Sequence, residues 1–262
     1  MPRFSANIST LFTEHALPDR FAAAADAGFA AVEIQFPYDH PPERLAKLRE
    51  TAGVEVALFN IPAGDMPAGE RGIACLPGRE QDFRQGVAKA AEYAQALDCK
   101  RVNVLAGLLS SLPTGELDRE TALDVLAGNL AFAGEAMAEL GVTVLSEAVN
   151  DTTMPGFLVN RTSEALAAIK RAGHENLAIQ ADIFHMAMMG EDIVAALQAA
   201  APQLGHIQFA DAPGRHQPGT GALDFETIFA AVDGIGYDGW LGAEYKPSGK
   251  TGESLGWLAE FG

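Results

Sequence analysis

The sequence predicts a single (β/α)8 barrel over residues 1–262, and three observations carry that expectation. Eight short runs rich in apolar and β-branched residues alternate with stretches of helical periodicity, the order that gives parallel strands joined by crossover helices. The chain has 262 residues, close to the ~250 typical of one such barrel. Four oxygen-bearing side chains, Glu147, Asp182, Gln208 and Glu244, each lie at the end of one of the last four runs, and catalytic groups of these barrels sit at the C-terminal strand ends.

The first strand is expected over residues 4–8, followed by a helix opened by Pro18 and closed by Gly28. Strands over 31–36 and 54–60 come next, and Gly-Phe or Gly-Val recurs just before strands, as short helix-to-strand loops require. The helix ahead of the fourth strand (101–106) carries Phe83, Val87, Ala90, Ala94 and Leu97 on one face. The clearest helix sets Leu123, Leu126, Leu130, Ala133, Met137 and Leu140 in a single apolar stripe, and Gly141 stops it. Strands over 143–149, 177–182, 205–210 and 240–245 complete the set. Two long Gly/Pro-rich loops, 61–78 and 213–223, follow strands and so lie over the catalytic face, where such loops contact substrate.

Lys and Arg number 18 against 35 Asp and Glu, a formal charge of −17. That excess argues against nucleic acid and anionic membranes as partners. A small anionic substrate remains compatible, because a local cluster of cations outweighs the global field inside a pocket. Cys75 and Cys99 lack any ligand or CxxC spacing and read as reduced. No signal-like apolar segment opens the chain and no run approaches ~18 apolar residues, so a cytoplasmic location is expected. A homo-oligomer is compatible with the sequence.

Neighbouring strand ends of a small barrel lie within several Å of one another, so the carboxylates of Glu147, Asp182 and Glu244 would repel unless a cation held them together. With the Gln208 amide the set is all oxygen, which points to one Mg²⁺ or Mn²⁺ ion and away from Zn²⁺. His185, three residues past Asp182, is placed to donate to a substrate oxygen. Arg215, in the second long loop, is the natural bidentate partner of a substrate carboxylate. Lys246, two residues past Glu244, fits a substrate contact or a charge partner inside the barrel, and Asn60 at the end of the third strand is expected in the pocket.

The segments Asp182-Ile-Phe-His185, Gln208-Phe-Ala-Asp-Ala-Pro-Gly-Arg215 and Glu244-Tyr-Lys-Pro247 resemble the hydroxypyruvate isomerase group of the xylose-isomerase-like TIM barrels, as do Val32–Asp39 and the region around 64–78. The resemblance implies one divalent cation held by Glu147, Asp182, Gln208 and Glu244, with His185 and Arg215 touching substrate. Relatives that epimerise free ketoses tend to carry His at the position of Gln208, which favours the hydroxypyruvate branch. The expected activity is isomerisation of a small hydroxy-keto acid, hydroxypyruvate to tartronate semialdehyde, by proton transfer through Glu147 and Glu244. A 2-oxo-tetronate isomerase or a ketose 3-epimerase is the rival on the same scaffold, and a non-catalytic sugar-acid binding barrel a more distant one. The endonuclease branch of the superfamily is disfavoured by the negative charge and the scarcity of clustered His.

Overall fold

The computed structural model describes residues 2–111 and 118–262. Eight parallel strands close into a barrel in sequence order: β1 (Arg3–Asn7), β2 (Ala31–Ile34), β3 (Glu55–Asn60), β4 (Arg101–Val104), β5 (Thr143–Glu147), β6 (Leu177–Asp182), β7 (Leu204–Phe209) and β8 (Trp240–Ala243), with β8 pairing back onto β1. Around them run α1 (Leu17–Asp26), α2 (Pro42–Ala52), α3 (Glu80–Leu97), α4 (Arg119–Ala138), α5 (Thr162–Ala172), α6 (Ile183–Met188), α7 (Ile193–Ala200), α8 (Phe225–Gly234) and α9 (Leu258–Phe261). This is the expected (β/α)8 barrel. No helix among the described residues is long and apolar enough to cross a membrane.

Period-two alternation sorts the strand residues. Phe4, Ala6, Val32, Ile34, Val102, Val104, Ile207 and Phe209 join the hydrophobic core against the helices. The residues between them, Ser5, Asn7, Glu33, Asn103, His206 and Gln208, are equally buried but polar, and line the barrel interior. Four donors meet the buried Glu33 carboxylate: Ser5 Oγ and His206 Nε2 at 2.7 Å from Oε1, and Gln208 Nε2 at 2.7 Å and Asn7 Nδ2 at 3.3 Å from Oε2. Gly242 on β8 leaves room for that carboxylate, since a Cβ there would overlap it. Gly242→Ala is therefore expected to destabilise the fold by roughly 1–3 kcal/mol, the cost of overpacking a filled interior, read as a lower urea midpoint at unchanged slope.

The α3 stripe holds, with Phe83, Val87, Ala90, Ala94 and Leu97 buried; on α4 Leu126, Leu130, Ala133 and Met137 are buried and Leu123 is half-buried, while Leu140 lies past the helix end at Ala138 and still packs on the core. Several strands end earlier than the apolar runs that predict them. The ladders stop at Ile34, Val104, Glu147 and Ala243, whereas Ala106, Ala148, Val149 and Tyr245 beyond them are still buried. Tyr245 is covered by the C-terminal segment, where its hydroxyl bonds Ser254 and accepts Trp257 Nε1–H at 3.1 Å.

Candidate active site

The four oxygen-bearing side chains converge at the C-terminal mouth. Glu147 ends β5, Asp182 ends β6, Gln208 stands one residue before the end of β7, and Glu244 follows β8 directly. All four are buried. Parallel register sets Glu147 beside Gln180 and Asp182 beside Gln208. Asp182 also caps α6: its Oδ1 accepts the Phe184 N–H at 2.8 Å, leaving Oδ2 to face the site.

Hydrogen bonding separates the two glutamates. Glu244 accepts four donors, Gln35 Nε2 at 3.0 Å and Arg215 Nη2 at 2.6 Å on Oε1, Asn7 Nδ2 at 2.9 Å and Gln208 Nε2 at 2.7 Å on Oε2. Glu147 accepts Asn103 Nδ2 at 2.7 Å on Oε2, and its Oε1 lies 4.0 Å from His185 Nε2. Burial, reinforced by the charges of Asp182 and Glu244, pushes the Glu147 carboxyl well above the usual carboxylate range. Burial also raises Glu244, to about 7, with the Arg215 guanidinium pulling the other way.

Arg215 enters as a partner of protein carboxylates. Its Nη2 reaches Asp182 Oδ2 at 3.2 Å as well as Glu244, and the guanidinium lies over the Phe184 ring, 4.8 Å from the centroid. The residue has a positive φ of 55°, unusual for a side chain of this size. Its N–H donates to Asp211 O at 2.8 Å and its carbonyl accepts from Lys246 N–H at 2.8 Å. Asp211 in turn accepts the N–H groups of Ala212, Gly219, Gly221 and Leu223, and so shapes the loop that aims Arg215.

His185 lies between Asp182 and Glu147. Its Nδ1 accepts the backbone N–H of Asn150 at 3.3 Å and sits 2.5 Å from the Asn150 side-chain nitrogen, which is fixed toward the ring because Thr153 N–H occupies Asn150 Oδ1 at 2.8 Å. This network assigns the imidazole proton to Nε2, 3.5 Å from Asp182 Oδ2. Burial pushes the ring down to about 4, so His185 is neutral at pH 7 and presents Nε2–H as a donor.

Of the remaining sequence candidates, Asn60 lines the cavity above this cluster, and its Oδ1 accepts from Asn103 Nδ2 at 3.1 Å. Lys246 does not: its side chain is exposed, and only its backbone meets the site loop. The expectation assumed that strand alternation continues past Glu244, but β8 ends at Ala243 and the chain has turned away by residue 246. Asn7, Gln35, Asn103 and Arg71 were not singled out from sequence. The first three are neutral amides whose only signal is their place at or near a strand end.

The donor set fits a hard divalent cation. Glu147, Asp182 and His185 each bring a potential ligand atom within 4.8 Å of the others, and Arg215 Nη2 ties Glu244 to Asp182. Three buried carboxylates against one guanidinium leave an uncompensated negative charge that oxygen-seeking cations neutralise. Because His185 keeps its Nε2 proton, the carboxylates are the anionic ligands of that set. Gln208 departs from the expectation: its Nε2 donates to Glu33 and Glu244 while its Oε1 accepts Gln180 Nε2 at 2.6 Å. Two carboxylates on one side demand the amide nitrogen there, so offering the carbonyl to a cation requires this amide to turn.

The model of the xylose isomerase-like TIM barrel family matches residues 21–261. The chain belongs to that family. Within it, the chain is 44% identical to the 2-oxo-tetronate isomerase of Cupriavidus necator, over 100% of this chain and 99% of the relative, and 42% identical to the hydroxypyruvate isomerase of Escherichia coli, over the full length of both. A crystal structure from Brucella melitensis, described as an AP endonuclease of family 2, superposes with a TM-score of 0.96 at 39% identity, covering 100% of this chain and 99% of that one. The structure of an L-ribulose 3-epimerase follows at a TM-score of 0.76 and 26% identity, covering 99% of this chain and 86% of that one. The resemblance to the hydroxypyruvate isomerase group thus extends over the whole chain, and this family member is an isomerase.

Proposed function

We propose that the chain is a divalent-metal-dependent isomerase of short 2-oxo-3-hydroxy acids, converting hydroxypyruvate to tartronate semialdehyde and accepting its four-carbon homologue, 2-oxo-tetronate. The observation that carries this reading is the pair of buried, unequally hydrogen-bonded glutamates, Glu147 and Glu244, from opposite flanks of a cluster fit for a cation. Both substrates are those named for two isomerases to which the chain is similar over its full length. The cavity over the cluster holds about 190 Å³, below the ~300 Å³ at which drug-sized pockets begin and suited to three or four carbons.

The reaction removes a proton from C3 to give a C2–C3 enediolate, passes the hydroxyl proton from O3 to O2 so that C3 becomes the carbonyl, and returns a proton to C2. The two glutamates take these roles from different sides. Glu244, fixed by four donors, holds its carboxylate in one orientation, whereas Glu147 has an Oε1 with room to exchange a proton. The neutral His185 donates from Nε2 to a substrate oxygen and stabilises the charge that develops there. A cation held by Glu147, Asp182 and Glu244, with Gln208 beside them, would supply Lewis-acid polarisation of the substrate oxygens when bound.

A substrate screen tests this directly. Hydroxypyruvate and 2-oxo-tetronate are expected to be isomerised well ahead of neutral ketoses. EDTA should abolish the activity, and Mg²⁺ or Mn²⁺ should restore it. Undiminished turnover by protein shown to be metal-free would refute the metal dependence, and a preference for free ketoses would favour the 3-epimerase reading. Cleavage of abasic DNA is not expected at a net charge of −17.

A further inference from the structure

An acid substrate needs a cation to receive its carboxylate, and among the described residues two cationic side chains line the cavity, Arg71 and Arg215. Arg215 is already committed to Asp182 and Glu244. Arg71 makes no ion pair with any described carboxylate: its Nη1 donates to two backbone carbonyls, Met66 O at 3.0 Å and Glu70 O at 2.7 Å. Those two bonds fix the guanidinium and leave the edge formed by Nε and Nη2 for a ligand, the edge that pairs bidentately with a carboxylate.

The loop that carries Arg71 is braced as a binding element is. Glu70 pairs with Arg79 and accepts the Asp65 N–H at 2.5 Å. Gly72 N–H donates to Ala63 O at 3.0 Å, Cys75 N–H to Ala106 O at 2.8 Å, and Asn129 Nδ2 to Ala74 O at 2.8 Å. Gly72, at φ 112°, lies against the backbone of Leu105 and Gly107, where a Cβ would collide. The loop after β3 is thereby locked onto the loop after β4. In a closed barrel of eight strands in sequence order, β3 stands across from β7, so Arg71 and Arg215 approach the cavity from opposite sides.

We infer that Arg71 is the residue that reads the substrate carboxylate, holding it across the mouth from the Glu147, Asp182 and Glu244 cluster, while Arg215 balances the charge of that cluster. The inference rests on the acid-isomerase reading above. It places C1 of the substrate under the β3 loop and the reacting C2 and C3 over the glutamates. It also accounts for a cationic contact in a chain otherwise dominated by acidic groups.

The test compares wild type with Arg71→Met and Arg71→Lys in steady-state kinetics on hydroxypyruvate and 2-oxo-tetronate, and in calorimetric binding of glycerate and of glycerol. Arg71→Met is expected to raise KM for both acids by roughly 10- to 100-fold, the scale of a charge-assisted hydrogen bond left unmade, with kcat changed less. Glycerate binding should be lost and glycerol binding unaltered. Arg71→Lys should fall between, since a point charge replaces the planar fork. Arg71→Met also removes the two Nη1 bonds to Met66 O and Glu70 O, so thermal unfolding is followed for both variants, and Arg71→Lys, which keeps a donor, should stay near wild type. KM and glycerate affinity within twofold of wild type in Arg71→Met would overturn the inference while leaving the isomerase reading intact. So would equal losses for glycerate and glycerol, which would make Arg71 a shaper of the loop. If wild type binds glycerate through Arg71 yet turns over neither acid, the reaction is wrong and the carboxylate site stands.

Discussion

Glu147→Gln is expected to lower kcat by roughly 10²–10⁴-fold, the usual contribution of a positioned acid or base, while leaving the fold intact. The substitution keeps the volume and the bond to Asn103 but removes a group that can exchange a proton. In metal-free protein at neutral pH the variant should melt at a higher temperature than wild type, because it deletes a carboxyl that burial and the neighbours Asp182 and Glu244 disfavour as an anion. Glu244→Gln should lose turnover to the same degree with the opposite effect on stability. Four donors converge on that carboxylate, and an amide with its own N–H groups cannot accept all of them, so Asn7, Gln35, Gln208 or Arg215 is left unpaired. Kinetics with differential scanning calorimetry separates the two outcomes. Near-wild-type turnover in both variants would defeat the two-glutamate mechanism.

Metal-free protein should lose stability as the pH rises. Glu147 and Glu244 both hold their protons more tightly folded than unfolded. From the ordinary carboxylate value of 4.5 up to about 7, where Glu244 titrates in the fold, the native state therefore binds protons that the unfolded chain has released. The stability that these carboxyls contribute is fully present below that window and declines through it. Glu147, displaced in the same direction by burial and by the charges of Asp182 and Glu244, adds to the decline. A cation that binds only the ionised carboxylates reverses the trend, so the rise in melting temperature on adding Mn²⁺ should be larger at pH 8 than at pH 5.5. A metal-induced shift that is equal at the two pH values, or larger in acid, would mean that these carboxylates are not its ligands.

The barrel was legible in the sequence because its two periodicities are separate: apolar runs of strand length and apolar stripes at spacings of three and four each have one way to be buried. The charged members of the site were legible for a related reason, since Glu147, Asp182 and Glu244 are acidic residues closing apolar runs, a place where charge is costly. Strand ends were blurred where Val149 and Tyr245 stay buried after the ladder stops. Lys246 was misplaced by carrying strand alternation one turn too far. Asn7, Gln35 and Asn103 were missed because neutral amides have no charge to make their burial conspicuous, and their role emerges only when three other strands bring carboxylates to them. Arg71 and Arg215 differ only in what the fold places beside them, two carboxylates for one and two backbone carbonyls for the other, and spacing along the chain does not encode that.

The most direct test follows hydroxypyruvate by NMR in deuterated water with metal-stripped protein, before and after reconstitution with Mg²⁺. Tartronate semialdehyde carrying solvent deuterium at C2 should form with metal and not without it, and Glu147→Gln and Glu244→Gln should both suppress its formation. Metal-independent conversion, or product bearing only the original C3 hydrogen at C2, would contradict a metal-assisted proton transfer between two glutamates.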